Sequence, residues 1–376
     1  MNRSGLIALL AIIVLGAGGY YFYTQSQKSG EATPTATTDT PVAAVAEGGD
    51  SEPLLFTFED WTNEAFLAEY KEKYGKDPRT ALWADEDEAF AKMRAGYKPD
   101  VMGPCSYEFG RWQEAGLIQP IDVTKLKHWK DIPDYLKNIP GMMKSETEAW
   151  FVPQYWANTS VTYRTDLAPE YVGKESWKIL FDPKYKGRIA GLDGVDDTVT
   201  LIAKTWGIDP YNMTPEQWTT LQGKLREFVA AARFISSDET SLSQGLASGE
   251  IVAAITWNQT PAALRKEGKP VAYMNPPGGM FTYVCGLVLH AESTNVEKAY
   301  ALIDSSIAPG AMKYQFDELS NGPANMSVFA DYTDEQLAEK GFVRDVKTFL
   351  ESGTFQQRLK NKDEIVKFWT EIRGGG

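Results

Sequence analysis

The fold is decided by residues 253–258, which read Ala-Ala-Ile-Thr-Trp-Asn and stand directly before a helix start at 259–261, Gln-Thr-Pro. A short apolar run bounded by turn residues is typical of a buried strand in a parallel sheet. In open α/β sheets ligands lie beyond the carboxyl ends of the strands, so we expect a ligand to meet Trp257 and Asn258. The alternative is that Trp257 only fills the core, as tryptophan often does. The ligand interpretation is favoured because strands that end in an aromatic residue recur at 56–61, 101–107 and 152–156.

Length and composition indicate an acidic, globular chain that is large enough for two domains. The chain has 376 residues, of which 43% are hydrophobic and 24% charged, so a packed core is expected. The formal net charge of −13 argues against nucleic acid as a partner, because binding phosphates needs a basic face. The 11 Trp, 18 Tyr and 17 Phe residues are enough to build a ring-lined pocket as well as a core.

Cysteine and histidine are too rare for most metal or catalytic chemistry. The chain contains only Cys105, Cys285, His128 and His290. This excludes a Cys/His zinc cluster of the usual spacing and makes a histidine-dependent hydrolase improbable. We therefore expect neither a metal nor a cofactor.

The amino terminus predicts a membrane segment followed by a linker. Residues 5–23 are almost wholly apolar and follow Arg3, which fits a membrane anchor or a secretion signal over 1–23. An uncleaved anchor is favoured, because the aromatic cluster at 20–23 resembles an interfacial belt and there is no good cleavage site. Arg3 places the amino terminus in the cytoplasm and the rest of the chain outside. Residues 24–52 are rich in Thr, Ala, Gly and Pro and predict a disordered tether.

The remainder alternates between strands and helices, as in an α/β fold. One α/β unit begins at Pro53, and a second runs from about residue 157 to 275 and includes the strand at 249–257. Residues 148–155 and 159–163 predict two successive strands, and Asp197 and Thr214 are placed to cap the helices that follow them. The apolar run 281–289 predicts a strand that returns to the first unit. We expect lobe 1 to comprise 53–154 and 276–325, and lobe 2 to comprise 155–275 and 326–373. Two lobes leave a cleft that closes on a ligand by a hinge.

Several stretches of 54–373 resemble the periplasmic solute-binding proteins of ABC importers, and most closely the spermidine/putrescine-binding proteins. Their order and spacing, more than any one motif, carry the resemblance: Trp61-Thr62, 104–107 Pro-Cys-Ser-Tyr, 114–122 Glu-Ala-Gly-Leu-Ile-Gln-Pro-Ile-Asp, 152–156 Val-Pro-Gln-Tyr-Trp, 182–187 Asp-Pro-Lys-Tyr-Lys-Gly, Ser237-Asp238, Gly249-Glu250, Trp257-Asn258 and Gly278-Gly279. The resemblance implies a type II periplasmic-binding-protein fold, in which hinge strands cross between two lobes built on mixed or parallel sheets.

The resemblance also implies a set of ligand-binding residues in the cleft: Trp61, Thr62, Tyr107, Trp156, Asp197, Ser237, Trp257 and Tyr283. Two positions depart from the family. Val284 stands where the family has its central carboxylate, and Thr282 stands where the family has a neighbouring aromatic. Another acidic position of the family falls on Gly194, although Asp193 or Asp196 would serve if the alignment is off by one or two residues.

These departures shape the expected ligand. A buried ammonium needs a paired carboxylate, because leaving a charge unpaired costs several kcal/mol. Rings attract a cation by roughly 0.5–2 kcal/mol each, so the remaining rings and one acid fit a small amine or other organic cation, with polyamines as one case. Cys105 and Cys285 fall near the same cleft edge in the family, and either a disulfide or two buried free thiols would fit there.

The expected function is an extracytoplasmic binding protein, monomeric and tethered or released, that delivers a small organic solute to an ABC permease of the inner membrane. A second hypothesis is a membrane-tethered sensor subunit built on the same binding domain. A third is an enzyme that uses Asp193, Asp196 and Asp197 as paired carboxylates. The enzyme is the least favoured, because acidic loops after strands are usually helix caps or solvated turns and no nucleophile–base pair is present.

Overall fold

A computed structural model describes residues 51–374, apart from the side chain of Glu339. Its strands are distributed along the whole described chain, and the longest is β7. In chain order they are β1 (Leu54–Thr57), β2 (Arg79–Leu82), β3 (Val101–Met102), β4 (Ile118–Gln119), β5 (Ile121–Asp122), β6 (Glu148–Ala149), β7 (Val152–Arg164), β8 (Ile189–Leu192), β9 (Ala232–Ser236), β10 (Ala253–Trp257), β11 (Val271–Tyr273), β12 (Phe281–His290), β13 (Gly322–Pro323) and β14 (Thr354–Phe355).

The helices lie between the strands, as the alternating pattern predicts. They are α1 (Glu64–Tyr74), α2 (Glu86–Arg94), α3 (Phe109–Glu114), α4 (Asp134–Lys137), α5 (Thr200–Thr205), α6 (Pro215–Ala231), α7 (Glu239–Ser248), α8 (Gln259–Lys266), α9 (Val296–Ser306), α10 (Pro309–Asp317), α11 (Asp334–Glu339), α12 (Val346–Glu351) and α13 (Lys362–Arg373). Short 3₁₀ turns connect several of them, and a π-helical turn, Val195–Val199, precedes α5.

The sheet is mixed, and its strands run in the order β2-β1-β3-β12-β7-β10-β8-β9. The first three strands are parallel to one another, as are the last three. Between these groups β12 and β7 pair antiparallel, with Tyr283 opposite Ala157. The α/β class is confirmed, and the parallel pairs lie at the two ends of this order and between β12 and β14.

Two hydrophobic cores define the two lobes. The core of lobe 1 contains β1, β3 and most of β12, and that of lobe 2 contains β8, β10 and α6. The chain crosses between the cores in β7, in β12 and again just after α12, whose Leu350 lies in the first core while Leu359 lies in the second. Trp257 packs against both cores, so the carboxyl end of β10 lies at the boundary between the lobes.

The packing of the carboxyl-terminal segment differs from the predicted domain boundaries. The prediction assigned 326–373 to lobe 2. In the structure Phe329, Phe342 and Leu350 are buried in the core of lobe 1, and only the end of the segment, from Leu359 through α13, joins lobe 2. The reason is a set of aromatic contacts, since the Phe342 ring lies 5.4 Å from that of Trp156 and 5.1 Å from that of Phe316. An amphipathic pattern shows that a helix packs on a core but does not show which core.

Two local predictions are also corrected by the structure. The segment predicted as two strands, at 148–155 and 159–163, contains the single long strand β7, which spans both lobes. Asp197 was predicted to cap a helix, but it lies inside the π-helical turn and Gly194 occupies the cap position. This turn frees the Asp197 side chain to face the boundary between the lobes. The predicted cap at Thr214 is confirmed, with a reciprocal bond to Gln217.

The amino-terminal predictions lie mostly outside the described residues. The membrane segment at 1–23 and the linker up to residue 50 belong to the part of the chain that the structure does not describe. Within residues 51–374, no helix has both the length and the apolar character needed to cross a bilayer. The linker prediction is wrong at its last residue, because Glu52 is fixed by Lys298 at 3.0 Å and by the Tyr70 hydroxyl.

Candidate ligand-binding site

A row of aromatic rings lines the boundary between the lobes. The ring centroid of Trp61 lies 5.7 Å from that of Tyr155, and Tyr155 lies 6.4 Å from Tyr283. Tyr283 in turn lies 6.4 Å from Trp257. All three contacts are edge to face, so ring faces as well as edges are presented along the row. Trp61, Trp257 and Tyr283 were predicted as site residues, and the structure brings them together with Tyr155.

Asp197 lies at the Trp257 end of this row. Its Oδ1 accepts hydrogen bonds from Thr159 Oγ1 (2.5 Å), Trp257 Nε1 (3.2 Å) and Gln356 Nε2 (3.3 Å). All three donors therefore meet the same oxygen, and within residues 51–374 no donor bonds to Oδ2. Burial raises the pKa of the Asp197 carboxyl above its usual range, while the three hydrogen bonds act in the opposite direction. The result is a held carboxylate with one oxygen still able to accept.

Tyr107 lies in the same site, next to two glutamates and a lysine. Its hydroxyl is 3.4 Å from Glu86 Oε2, and the Lys362 ammonium lies 5.7 Å from the centre of its ring. Glu86 Oε1 accepts from the backbone N–H of Cys105 at 3.0 Å. Burial, followed by the negative charge of Glu108, raises the pKa of Glu86 to about 8. A substantial fraction of Glu86 is therefore protonated at neutral pH.

Lys362 connects the two lobes through an ionic triad. Its Nζ lies 3.0 Å from Glu108 Oε1, which belongs to lobe 1, and 3.0 Å from Asp196 Oδ2, which belongs to lobe 2. Burial raises the pKa of Asp196 to about 6, and the Lys362 charge limits that rise. Burial alone would lower the pKa of Lys362, but the charges of Asp196 and Glu108 raise it above its ordinary value.

A further carboxylate supports the carboxyl end of β10. Glu239 Oε1 accepts from the backbone N–H of Trp257 at 2.7 Å and from Thr260 Oγ1 at 2.9 Å. Burial raises the pKa of Glu239 to about 7. Because both bonds hold the strand end and the start of α8, Glu239 fixes the position of the Trp257 indole.

Three predicted site residues are placed elsewhere. Trp156 is buried in the core of lobe 1 against Phe342, because side chains alternate along β7 and its neighbour Tyr155 takes the face toward the site. The Thr62 hydroxyl donates to the backbone oxygen of Glu59. Ser237 is exposed in the loop between β9 and α7. These positions do not belong to the row of rings.

Asn258 and Val284 also lie outside the row of rings. Asn258 was expected to meet a ligand, but its Oδ1 accepts from the backbone N–H of Asn158 at 3.0 Å and its amide donates to the backbone oxygen of Ser320. It therefore joins backbone segments. Val284, at the position of the family's central carboxylate, is fully buried on the face of β12 opposite to Tyr283.

Cys105 and Cys285 are joined as a disulfide in the structure. The bond links the loop after β3 to β12 within lobe 1, two residues before Tyr107 on one side and two after Tyr283 on the other. The pair thus ties together two segments that carry site residues. Glycine is required nearby at 103, because a Cβ there would come within 2.6 Å of the Trp61 ring.

One cluster outside this site has metal-ligand chemistry. Donor atoms of Glu69, His128 and Asp304 all lie within 4.8 Å of one another, beside a surface cavity of about 810 Å³ on lobe 1. These groups are satisfied internally. His128 Nε2 lies 3.0 Å from Glu69 Oε2, Lys127 lies 3.5 Å from the same carboxylate, and Asp304 accepts from the His128 backbone N–H. This bonding fits a structural link between α1, the loop at His128 and α9.

Sequence reasoning missed five groups that complete the site: Tyr155, Glu86, Glu108, Gln356 and Lys362. Tyr155 was within reach, because strict alternation along β7 places it and Trp156 on opposite faces. The acids had a weaker signal, since Glu86 opens a helix and reads as an ordinary first-turn charge. Gln356 and Lys362 lie about 160 residues after Asp197, and no local pattern connects them to it.

The comparison with protein families agrees with this architecture. Residues 65–341 match the model of the bacterial extracellular solute-binding proteins. The chain belongs to this family. Its members are the substrate-binding proteins of ABC transporters rather than enzymes, so the chain is an extracytoplasmic substrate-binding protein with a small-molecule ligand and a permease partner.

Individual relatives extend the likeness over the whole lobed region. The spermidine/putrescine-binding periplasmic protein of Escherichia coli is 20% identical over 338 residues, covering 88% of this chain and 94% of that protein. The structure of the spermidine/putrescine substrate-binding protein PotD from Streptococcus pneumoniae superposes with a TM-score of 0.70 at 17% identity, covering 86% of this chain and 99% of that one. The binding protein MotA from Agrobacterium tumefaciens, solved with glucopine, has a TM-score of 0.69 at 15% identity over 86% and 99% of the two chains. The two-lobed type II fold is thereby confirmed.

Proposed function

We propose that the site at the lobe boundary binds a small organic cation, held by Asp197 and the row of rings. The observation that carries this proposal is the bonding of Asp197. Three donors hold Oδ1, Oδ2 accepts from none of the described residues, and no described lysine or arginine forms an ion pair with this side chain. A carboxylate so placed lacks a counter-ion, and a ligand ammonium supplies one.

The rings make a cation more favourable than a neutral solute. Trp257 donates its indole N–H to Asp197, so its ring lies directly beside the carboxylate. Each ring face attracts a nearby cation by roughly 0.5–2 kcal/mol, with the larger values in sites that exclude water. An anion would meet the carboxylates of Asp197, Asp196 and Glu108 against the single positive charge of Lys362, and the electrostatic cost would exclude it. The relatives are named as spermidine/putrescine-binding proteins, and these names support the same ligand class.

A thermal-shift screen tests the proposal on the purified chain. Amines, quaternary ammonium compounds, amino acids, sugars and small carboxylates are compared at equal concentration. A solute that binds only the folded state raises the melting temperature by mass action, and we expect positive shifts from amines and amino compounds. Shifts produced only by carboxylates or sugars would contradict the proposal.

The cellular arrangement is part of the same proposal. We infer that the chain is a monomer tethered to the cytoplasmic membrane through residues 1–23, with the lobes outside. The apolar run after Arg3 supports this tether. Fractionation of cells that produce the protein, with and without residues 1–23, tests it. The full chain is expected in the membrane fraction as a monomer and the shortened chain in the soluble fraction.

The disulfide would fit this location, since such bonds persist outside the cytoplasm. We propose that Cys105 and Cys285 are oxidised in the mature protein. Titration of thiols under denaturing conditions, with no reductant, is expected to find none among these two. Two reactive thiols would overturn the proposal.

A further inference from the structure

Lys362 occupies a position that a ligand ammonium would otherwise take. Its Nζ lies 3.0 Å from a carboxylate oxygen of Glu108 and 3.0 Å from one of Asp196. It also lies 5.7 Å from the centre of the Tyr107 ring. Two carboxylates and an aromatic face are the partners that a buried organic ammonium requires.

The three charged groups of this triad are removed from water. The side-chain exposure is 15% for Lys362, 1% for Glu108 and 18% for Asp196. A pair at this depth exchanges little with solvent. Removing Lys362 would leave Asp196 without a counter-charge and Glu108 with Arg111 alone, at 3.4 Å. The triad is therefore a persistent part of the site and not an exposed ion pair of small energy.

The charges that remain leave a place for one cation. Lys362 pairs with both Glu108 and Asp196, and Arg111 gives Glu108 a second cation at 3.4 Å. Glu86 and Glu239 are engaged with the backbone N–H groups of Cys105 and Trp257, and burial raises the pKa of Glu86 to about 8 and that of Glu239 to about 7. Asp197 is then the one carboxylate of the described site that has a free oxygen and no ion pair to a described lysine or arginine. The charge of Lys362 acts on Asp197 from a distance and opposes the rise of its pKa.

We propose that Lys362 is a built-in cation that sets the ligand class: the site takes an organic molecule with a single ammonium group, and Lys362 excludes the second ammonium of a diamine. This inference rests on the proposed function, because it assumes that the ligand is a cation bound at Asp197. It separates this chain from relatives whose names specify putrescine or spermidine, which carry two or three amines. It identifies Lys362 as a specificity-determining residue.

The test compares two probes of equal chain length, n-butylamine and 1,4-diaminobutane, by calorimetric titration of the full-length protein in detergent. In the wild-type protein the diamine is expected to bind no tighter than the monoamine, because its second ammonium would meet the charge of Lys362. In Lys362→Gln, where the two carboxylates lose their cation, the diamine is expected to gain at least tenfold over the monoamine. Lys360→Gln is the matched control, because Lys360 is exposed and bonds to Asn212, and its ratio should equal that of the wild type.

The outcomes separate the two claims. If the wild-type protein binds the diamine more than tenfold tighter than the monoamine, or if Lys362→Gln leaves the ratio within threefold of the wild-type ratio, the inference is overturned while the proposed function stands. If the wild-type protein binds neither amine, nor 4-aminobutanoate, nor a quaternary ammonium, both fail. Should Lys362→Gln not fold, the wild-type ratio decides alone.

A thermal-shift measurement provides an independent readout on the same variant. Lys362→Gln should melt below the wild type, because Glu108 and Asp196 lose their shared counter-ion. 1,4-Diaminobutane should restore more of that loss than n-butylamine does at the same concentration. Equal restoration by both amines would contradict the proposed place for the second ammonium.

Discussion

Substituting Asp197 by asparagine should separate ligand binding from folding. The three donors to Asp197, from Thr159, Trp257 and Gln356, all meet Oδ1, and an amide oxygen can still accept from them. The amide nitrogen would then stand in place of Oδ2. It is a donor and would face the ligand ammonium. The substitution thus removes the ion pair while it keeps the local hydrogen bonds.

The expected magnitudes follow from that geometry. Breaking a buried ion pair by removal of one partner costs about 3–5 kcal/mol, and the partial exposure of Asp197 favours the lower value. At about 1.4 kcal/mol per tenfold, the dissociation constant for an amine should rise roughly 100-fold or more. The free energy of unfolding without ligand should change by no more than about 1 kcal/mol. Hydrogen bonds to a neutral amide oxygen are weaker than those to a carboxylate, which destabilises the fold. Removing a carboxylate whose pKa is raised by burial stabilises the fold, and the two effects offset each other.

Calorimetric titration with n-butylamine and urea denaturation without ligand measure the two quantities. Asp193→Asn is the matched control in the same loop. Asp193 accepts from Trp369 Nε1 at 3.1 Å and pairs with Arg373, so it faces α13 and not the site. The control should lose stability and keep its affinity within twofold. A folded Asp197→Asn protein that retains affinity within threefold of the wild type would refute the reasoning.

Three further perturbations probe the packing, the rings and the buried acid. Gly322→Ala should lower the free energy of unfolding, measured by urea denaturation, by ~1–3 kcal/mol, because a Cβ at 322 would collide with the buried Trp156 ring. Gly310→Ala is the control. A Cβ at 310 meets no atom within 4 Å, so this substitution should not destabilise the fold. Tyr155→Ala should weaken amine binding in calorimetry by roughly 3- to 30-fold, the contribution of one ring, and an unchanged affinity would remove Tyr155 from the site. Glu86→Gln should gain stability over the wild type by ~1 kcal/mol or more as the pH rises from about 5 to about 8, seen in melting curves across that range. The unfolded chain releases the Glu86 proton near its ordinary pKa of 4.5, whereas the folded protein keeps it up to a pKa of about 8, so the wild type loses stability through this window. An advantage that shrinks as pH rises would contradict the assigned protonation.

The predictable parts of the fold are those with a local cause. The capping box at Thr214 and the strand that ends at Trp257 follow from short-range chemistry, and both are present. The join of two predicted strands into β7 was not predictable in the same way. An extended segment with polar residues such as Asn158 and Ser160 looks interrupted until the two lobes bury both of its faces. Burial of both faces by the two lobes therefore keeps β7 continuous where the local sequence predicts a break.

The candidate site was predictable where a side chain lies at a strand end. Trp257 and Asp197 follow buried strands, and the structure brings them within hydrogen-bonding distance. Trp156 was predicted as a site residue, but the alternation of β7 buries it against Phe342 and places its neighbour Tyr155 beside the rings of Trp61 and Tyr283. Lys362 had no such guide, because its partners Glu108 and Asp196 come from different lobes and from distant parts of the chain.

The most direct test of the central claim compares two solutes of similar size and opposite charge. Calorimetric titration of the wild-type protein with n-butylamine and with butyrate asks whether the site at the lobe boundary selects a cation. The bonding of Asp197 and the row of rings predict saturable heat from the amine that disappears in Asp197→Asn, and no heat from butyrate. Saturable binding of butyrate with none from the amine would contradict the claim.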